Sequence, residues 1–278
     1  MLGGQVHAEV YYPDVLVKRI VKRLLPESAR EWSRKTRSAG IAYLAQKTNL
    51  TRGPLSFIYL RGSGIEIGAY NWALMVPKGV KVTQVDREPV ESYANRIPDG
   101  STLVKVDVHA MIEDLAPFSN ESQNFVIANH VVEHSENPIL AMQSMFRVLK
   151  PGGILFLTLP DKRFTFDIER PRTDFEHVLR DYQEGPEASR LNHYREAAYF
   201  YEGLREEQKI ADWAEENMSA GADIHFHVWT QADLFEFLSR LQLDLGFPFD
   251  IEAMSKTGLE AIFVLRKLGG LEVSHLRQ

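Results

Sequence analysis

Residues 125–159 read FVIANHVVEHSENPILAMQSMFRVLKPGGILFLTL, and the succession of patterns within them decides the architecture. Phe125-Val126-Ile127-Ala128 is a short apolar run of strand type, and Ile154-Leu155-Phe156-Leu157-Thr158-Leu159 is another. Between them Pro138 suits the first turn of a helix whose Ile139, Met142, Phe146 and Leu149 share a face. Lys150-Pro151-Gly152-Gly153 stops that helix. Strand, helix and strand at this spacing imply a right-handed parallel crossover, and therefore an open α/β sheet.

Three more strand-like runs lie upstream: Gly64-Ile65-Glu66-Ile67-Gly68, Val80-Lys81-Val82-Thr83-Gln84-Val85-Asp86 and Leu103-Val104-Lys105-Val106-Asp107. Downstream, Thr230-Gln231-Ala232-Asp233 resembles a capping box opening a helix through Leu243, with Leu234, Phe237, Leu238 and Leu241 on its buried side. The period then changes to two. Residues 249–254 and 259–265, joined by Ser255-Lys256-Thr257-Gly258, read as a hairpin. The expected fold class is α/β, a seven-stranded, mostly parallel sheet with a C-terminal antiparallel hairpin. Residues 161–229 are too long for a simple connection and leave the carboxyl end of a central strand, where open α/β sheets bind ligands. They are expected to form a helical lid or insert.

Composition narrows the chemistry. The chain has 278 residues, of which 44% are apolar, enough for a substantial core. It contains no cysteine, which excludes disulfides, thiolate nucleophiles and Cys-ligated metals. Residues 1–50 hold nine Lys/Arg against four Asp/Glu, a surplus of +5 that leaves −11 for the rest of a chain of net charge −6. Within that part, Val17, Ile20, Val21, Leu24 and Leu25 form one face of a basic amphipathic helix over residues 14–25. Such a helix packs on its own domain or makes peripheral contact with an anionic membrane. No apolar run approaches the length of a membrane span, and no signal-peptide core follows Met1, so a cytoplasmic location is expected. The acidic remainder, lacking an aromatic-basic motif, argues against nucleic acid as a partner.

The first strand ends in Glu66-Ile67-Gly68-Ala69-Tyr70, and the second ends in Asp86, twenty residues after Glu66. In a nucleoside-binding α/β fold, Gly68 would permit close backbone approach and Asp86 would accept from the ribose hydroxyls. Asp107, ending the third strand, would accept from an adenine amino group, with Val108 against the ring. Ala69, Tyr70, Arg87, Asn129 and His130 complete the expected cofactor site. Only Gly68 stands where a dinucleotide would need a Gly-x-Gly-x-x-Gly loop, so a nucleoside cofactor without pyrophosphate fits better.

These residues resemble a known family. Glu66-Ile67-Gly68, the acidic Asp86, Asn129-His130-Val131-Val132-Glu133-His134 and Arg147-Val148-Leu149-Lys150-Pro151-Gly152-Gly153 are similar to the motifs of class I S-adenosylmethionine-dependent methyltransferases, of type 11-like character. The resemblance covers roughly residues 55–160 and the terminal hairpin and implies a Rossmann-like domain with S-adenosylmethionine as cofactor; the turn residues Thr51-Arg52-Gly53-Pro54 place that domain over residues 53–278, after a helical segment over 1–52. Glu66-Ile67-Gly68-Ala69 and residues 160–167 resemble a bacterial subgroup, some of whose members are associated with surface-polysaccharide synthesis. That implies a small-molecule or glycan acceptor and O-methylation. Two departures stand out: Tyr70 and Trp72 replace the second and third glycines of the first motif, and the short span from Gly68 to Lys81 requires a short or distorted crossover helix. The competing reading is a noncatalytic nucleoside-binding or scaffold domain that keeps the fold.

Methyl transfer to a hydroxyl needs a base, and neutral imidazole suits the task. The candidates are His130 and His134 after the fourth strand, and His177 and His193 in the insert. Asp161, Arg163, His225 and His227 are the expected substrate contacts. His130, Glu133 and His134 also resemble the metal-binding pattern of small-RNA and ubiquinone-pathway O-methyltransferases, with His225 and His227 as additional ligands. The reading adopted is a metal-free site in which Glu133 orients His134 or binds backbone amides.

Overall fold

The computed structural model describes residues 51–89, 92 and 103–269. The chain divides into two units, Met1–Asn49 and Leu50–Gln278. The first unit, including the basic helix expected over 14–25, lies outside the described residues. In the second, α1 (Arg52–Tyr59) precedes β1 (Ser63–Ile67), β2 (Lys81–Asp86), β3 (Val108–His109) and β4 (Gln123–Asn129). Then come α2 (Pro138–Val148) and β5 (Leu149–Pro160). The insert follows with α3 (Phe175–Glu184), α4 (Glu187–Phe200) and α5 (Glu207–Ser219), and the chain closes with α6 (Gln231–Leu243), β6 (Phe249–Thr257) and β7 (Glu260–Lys267).

One seven-stranded sheet results, in the order β3-β2-β1-β4-β5-β7-β6. β1, β2, β3, β4 and β5 are parallel, while β7 runs antiparallel between β5 and β6. β1 and β4 approach so closely that a Cβ on Gly64 would stand 2.3 Å from the Phe125 carbonyl oxygen, which is why glycine occupies that register position.

The strands bury both faces, as continuous apolar runs in a parallel sheet require. One face, with Ile65, Val126 and Leu157, packs under α2 and α6. The other, with Phe125, Ile127, Phe156 and Val264, lies beneath Leu55 and Leu60 from the α1 region and Leu74 and Val76 from the β1–β2 connection. A fully buried side chain of this size contributes about 1.5–3 kcal/mol relative to exposure. No helix occupies the described connection from Gly68 to Val80, so the shortened crossover expected from the sequence is a loop. α1 covers part of that face instead.

Two helix boundaries follow local chemistry read from the sequence. Asn137 caps α2 by accepting from the Leu140 backbone N at 3.0 Å, and Pro138 takes the first turn. Thr230 and Asp233 form the capping box of α6. The third strand departs from expectation: residues 103–106 are not strand, and β3 is confined to Val108–His109. Val104 N donates to the Tyr70 carbonyl and Asp107 N to that of Gln84, so this segment is tied to the sheet edge by isolated bonds before laddering begins.

Candidate active site

The strand order reverses between β1 and β4, which places a crevice at their carboxyl ends. A cavity of about 460 Å³ opens there, within the range of ligand-binding pockets. Gly68 turns the chain out of β1 with φ +65°, and a Cβ there would meet Val131 Cγ2 at 2.9 Å. Two residues on, Tyr70 adopts φ 54°, so the backbone keeps a left-handed turn although tyrosine stands where the family motif has glycine. Glu66, buried beneath this turn, accepts from Leu74 N at 2.8 Å and Gln84 Nε2 at 3.0 Å. Its carboxylate therefore ties the loop to the sheet, and burial raises its pKa against those hydrogen bonds.

Asp86, almost buried at the end of β2, lines the cavity with Glu66, Gly68, Ala69, Tyr70 and Arg87. Asn129, the last residue of β4, and His130 just after it also line the cavity. The Asn129 Oδ1 accepts from Thr158 Oγ1 at 2.7 Å, while its Nδ2 has no hydrogen-bond partner. A donor left over at a cavity wall suits a polar ligand group. Asp107 and Val108 do not line the cavity. Asp107 is exposed, and its carboxylate accepts from Gln84 N at 3.0 Å. Because β3 begins only at Val108, the wall expected from those two residues is built further along, by Ala110, Met111, Ile112 and Glu113.

His130 holds a left-handed backbone, φ 55°, and its ring lies between two carboxylates. Nε2 is 2.7 Å from Glu260 Oε2, and Nδ1 is 3.3 Å from Glu133 Oε1. Burial disfavours its charge, but Glu133 and Glu260 outweigh burial and hold the imidazole up at about 9. Burial likewise opposes ionisation of Glu260, yet His130 and Arg52 bring it down to about 2. His130 is thus a cation at neutral pH, which removes it from the expected bases: an occupied nitrogen cannot take a proton.

His134 also lines the cavity, and its Nδ1 is 3.0 Å from the Ile224 carbonyl and 3.1 Å from Asp223 Oδ1. Against burial, Asp223 and Glu133 raise its pKa above the ordinary value. Asp223 also pairs with Arg87 at 3.3 Å, so the end of the insert reaches the β2 side of the cavity. His225 packs edge-on against His134, with ring centres 4.6 Å apart, and its Nδ1 is 2.7 Å from Asp167 Oδ2. Glu133, His134 and His225 offer ligand atoms within 4.8 Å of one another. Both Glu133 oxygens are buried, with Oε1 facing His130 Nδ1 at 3.3 Å, and both histidines have Nδ1 on a carboxylate. This donor set suits a divalent cation. His130 and His227, expected with these ligands, lie outside the trio.

The remaining expectations separate from the cavity. His177, His193 and His227 gather with Asp181 in the insert and do not line it, so the first two are not placed as bases nor the third as a substrate contact. Asp161 and Arg163 do not line it either. Asp161 is 1% exposed and accepts from Arg163 Nε at 2.9 Å and Nη2 at 2.6 Å, a local clamp at the start of the insert. Arg163 overcomes burial to hold that carboxyl below its usual range. The sequence reading missed Arg52, Glu113 and Asp223 at the cavity, because each arrives from an element with no motif around it.

A family model described as a methyltransferase domain matches residues 18–245. A demethylmenaquinone methyltransferase of Protochlamydia amoebophila is 28% identical over 40% of this chain and 43% of its own length. A ubiquinone biosynthesis O-methyltransferase of Xanthomonas oryzae is 33% identical over 30% of this chain and 36% of its own. The chain thus matches less than half the length of these curated relatives. A solved SAM-dependent methyltransferase of Aquifex aeolicus is 12% identical, covers 82% of this chain and 89% of its own, and superposes with a TM-score of 0.39.

Proposed function

The chain belongs to the methyltransferase-domain family, class I and S-adenosylmethionine-dependent, and from that premise we propose that it methylates a hydroxyl of a small-molecule or glycan acceptor. One observation carries this reading: the crevice at the β1–β4 switch joins a nucleoside-sized cavity, bearing Asp86, to an oriented His134–Asp223 pair. S-adenosylmethionine supplies the activated methyl group when bound, so the protein's share is alignment, exclusion of water and movement of a proton.

Asp86 accepts from the ribose hydroxyls, and the Gly68 turn admits the cofactor against the backbone. Asn129 Nδ2 donates to its polar end. His134, with Nδ1 turned toward Asp223 and Ile224, takes the acceptor hydroxyl proton on Nε2. The His130 cation between Glu133 and Glu260 fixes the loop after β4. Where Glu133, His134 and His225 hold a divalent cation, that ion would polarise the acceptor oxygen and His134 would be its ligand.

Calorimetry with S-adenosylhomocysteine is expected to show one site per chain. Labelled S-adenosylmethionine in cell extracts is expected to mark a product that mass spectrometry identifies as an O-methyl compound. Neither heat nor a thermal shift at saturating ligand would leave the noncatalytic reading in its place. The pH dependence tests the base. The rate should rise with pH along a limb above 6.5, and Asp223→Asn should move that limb down, because the carboxylate raises the pKa of His134. Turnover abolished by chelator and restored by Mg²⁺ would reassign His134 as a metal ligand.

A further inference from the structure

His177 and Asp181 lie one turn apart on α3, sharing a face, while His193 comes from α4 and His227 from the strap leading to α6. The four offer ligand atoms that all lie within 4.8 Å of one another. His177 Nε2 is 3.1 Å from His193 Nε2 and 3.1 Å from Asp181 Oδ2. In a tetrahedral site with metal–nitrogen bonds of about 2.0–2.1 Å, neighbouring ligand atoms stand about 3.3 Å apart. The two contacts of His177 are close to that spacing, and the remaining ligand atoms lie within 4.8 Å.

Protons alone satisfy this arrangement poorly. His177 Nε2 carries at most one hydrogen, yet it faces a nitrogen and an oxygen at equal distance. Asp181 Oδ2, apart from its contact with His177, and His227 Nδ1 are buried with no hydrogen-bond partner. His227 is 0% exposed, Asp181 4% and His193 5%, so water does not compensate from outside.

We propose that His177, Asp181, His193 and His227 form a Zn²⁺ site that staples the insert together. Three imidazoles and one carboxylate in a tetrahedral set are the donors zinc takes, and four protein ligands leave no open position for chemistry. Part of an outer shell is in place: Ser189 Oγ donates to Asp181 Oδ1 at 2.8 Å, His227 Nε2 stands 3.4 Å from the Glu136 carbonyl oxygen, and the His227 ring stacks on Trp229 at 5.6 Å between centres. The site also reaches the cavity indirectly. Phe226 N and His227 N donate to the Glu133 carbonyl at 2.8 and 3.3 Å, so fixing His227 fixes the loop carrying Glu133 and His134.

The test is the metal content of the purified full chain, followed by titration of chelator-stripped protein with Zn²⁺ and Co²⁺. Wild type should retain one tightly held Zn²⁺ per chain, and chelation should lower its unfolding temperature. Co²⁺ should give the intense visible bands of a tetrahedral nitrogen–oxygen site. His177→Asn, the most exposed ligand, should lose the metal, whereas His134→Gln should keep it. Stripped wild type that binds no Zn²⁺, or gives only the pale bands of six-coordinate Co²⁺, would overturn the proposal without any variant. Binding lost in His134→Gln but intact in His177→Asn would overturn it by moving the ion to the other trio.

Discussion

At Gly68 a left-handed backbone and a close neighbour coincide, so an added methyl group is opposed twice. Gly68→Ala is expected to lower both the unfolding temperature and the affinity for S-adenosylhomocysteine, by tenfold or more, as read by thermal denaturation and calorimetry. Asp86 should behave differently. Asp86→Asn removes a charged acceptor, and hydrogen bonds to charged groups are worth about 1.5–3 kcal/mol. Affinity should fall roughly ten- to a hundredfold, with far less effect on the ligand-free unfolding temperature. The position of both at the cavity was legible because the end of a strand fixes where the chain meets the crevice. Asp107 was not, since its apolar flanks suggest a strand that starts five residues before the observed pairing of Val85 with Val108. Glu113 then stands at the cavity with no sequence signal beyond its charge.

The insert is built around a buried polar centre as well as an apolar one. Arg170, 2% exposed, donates to the His225 carbonyl at 2.7 Å, to Asp167 Oδ1 at 3.2 Å and to Glu196 Oε2 at 3.2 Å. Tyr201 donates to Asp167 Oδ1 at 2.7 Å, and burial drives its hydroxyl pKa upward. Removing one member leaves buried charge unpaired, which costs about 3–5 kcal/mol. Arg170→Met is therefore expected to lower stability by about that amount in denaturant titration, with faster hydrogen exchange concentrated in α4 and α5. The helices and the capping box of α6 were legible because periodicity and caps are local. The convergence of His177, His193 and His227 was not, since it depends on how α3, α4 and the strap meet.

Across the whole molecule, the chain from Arg52 through Glu260 and His130 to Glu133 links α1, the hairpin and the loop after β4. Its charges give the stability curve two limbs. His130 is raised from 6.5 to about 9, so its contribution is complete below 6.5 and disappears as pH rises through 9. Glu260 is lowered from 4.5 to about 2, so its contribution is present above 4.5 and lost as pH falls through 2. His130→Asn should flatten the decline in unfolding temperature between pH 6.5 and 9 and also shrink the acid limb below 4.5, which Arg52 would then sustain without the imidazolium. The succession of strands and the antiparallel terminal hairpin were legible because apolar runs and turns mark them along the chain. The ion-pair chain was not, because it joins residues as far apart as 52 and 260.

That same reach governs synthesis. β7 inserts between β5 and β6, and its first residue supplies the second carboxylate around His130. A nascent polypeptide halted before residue 260 would carry β5 as an open, adhesive edge. It would invite chaperones and proteases.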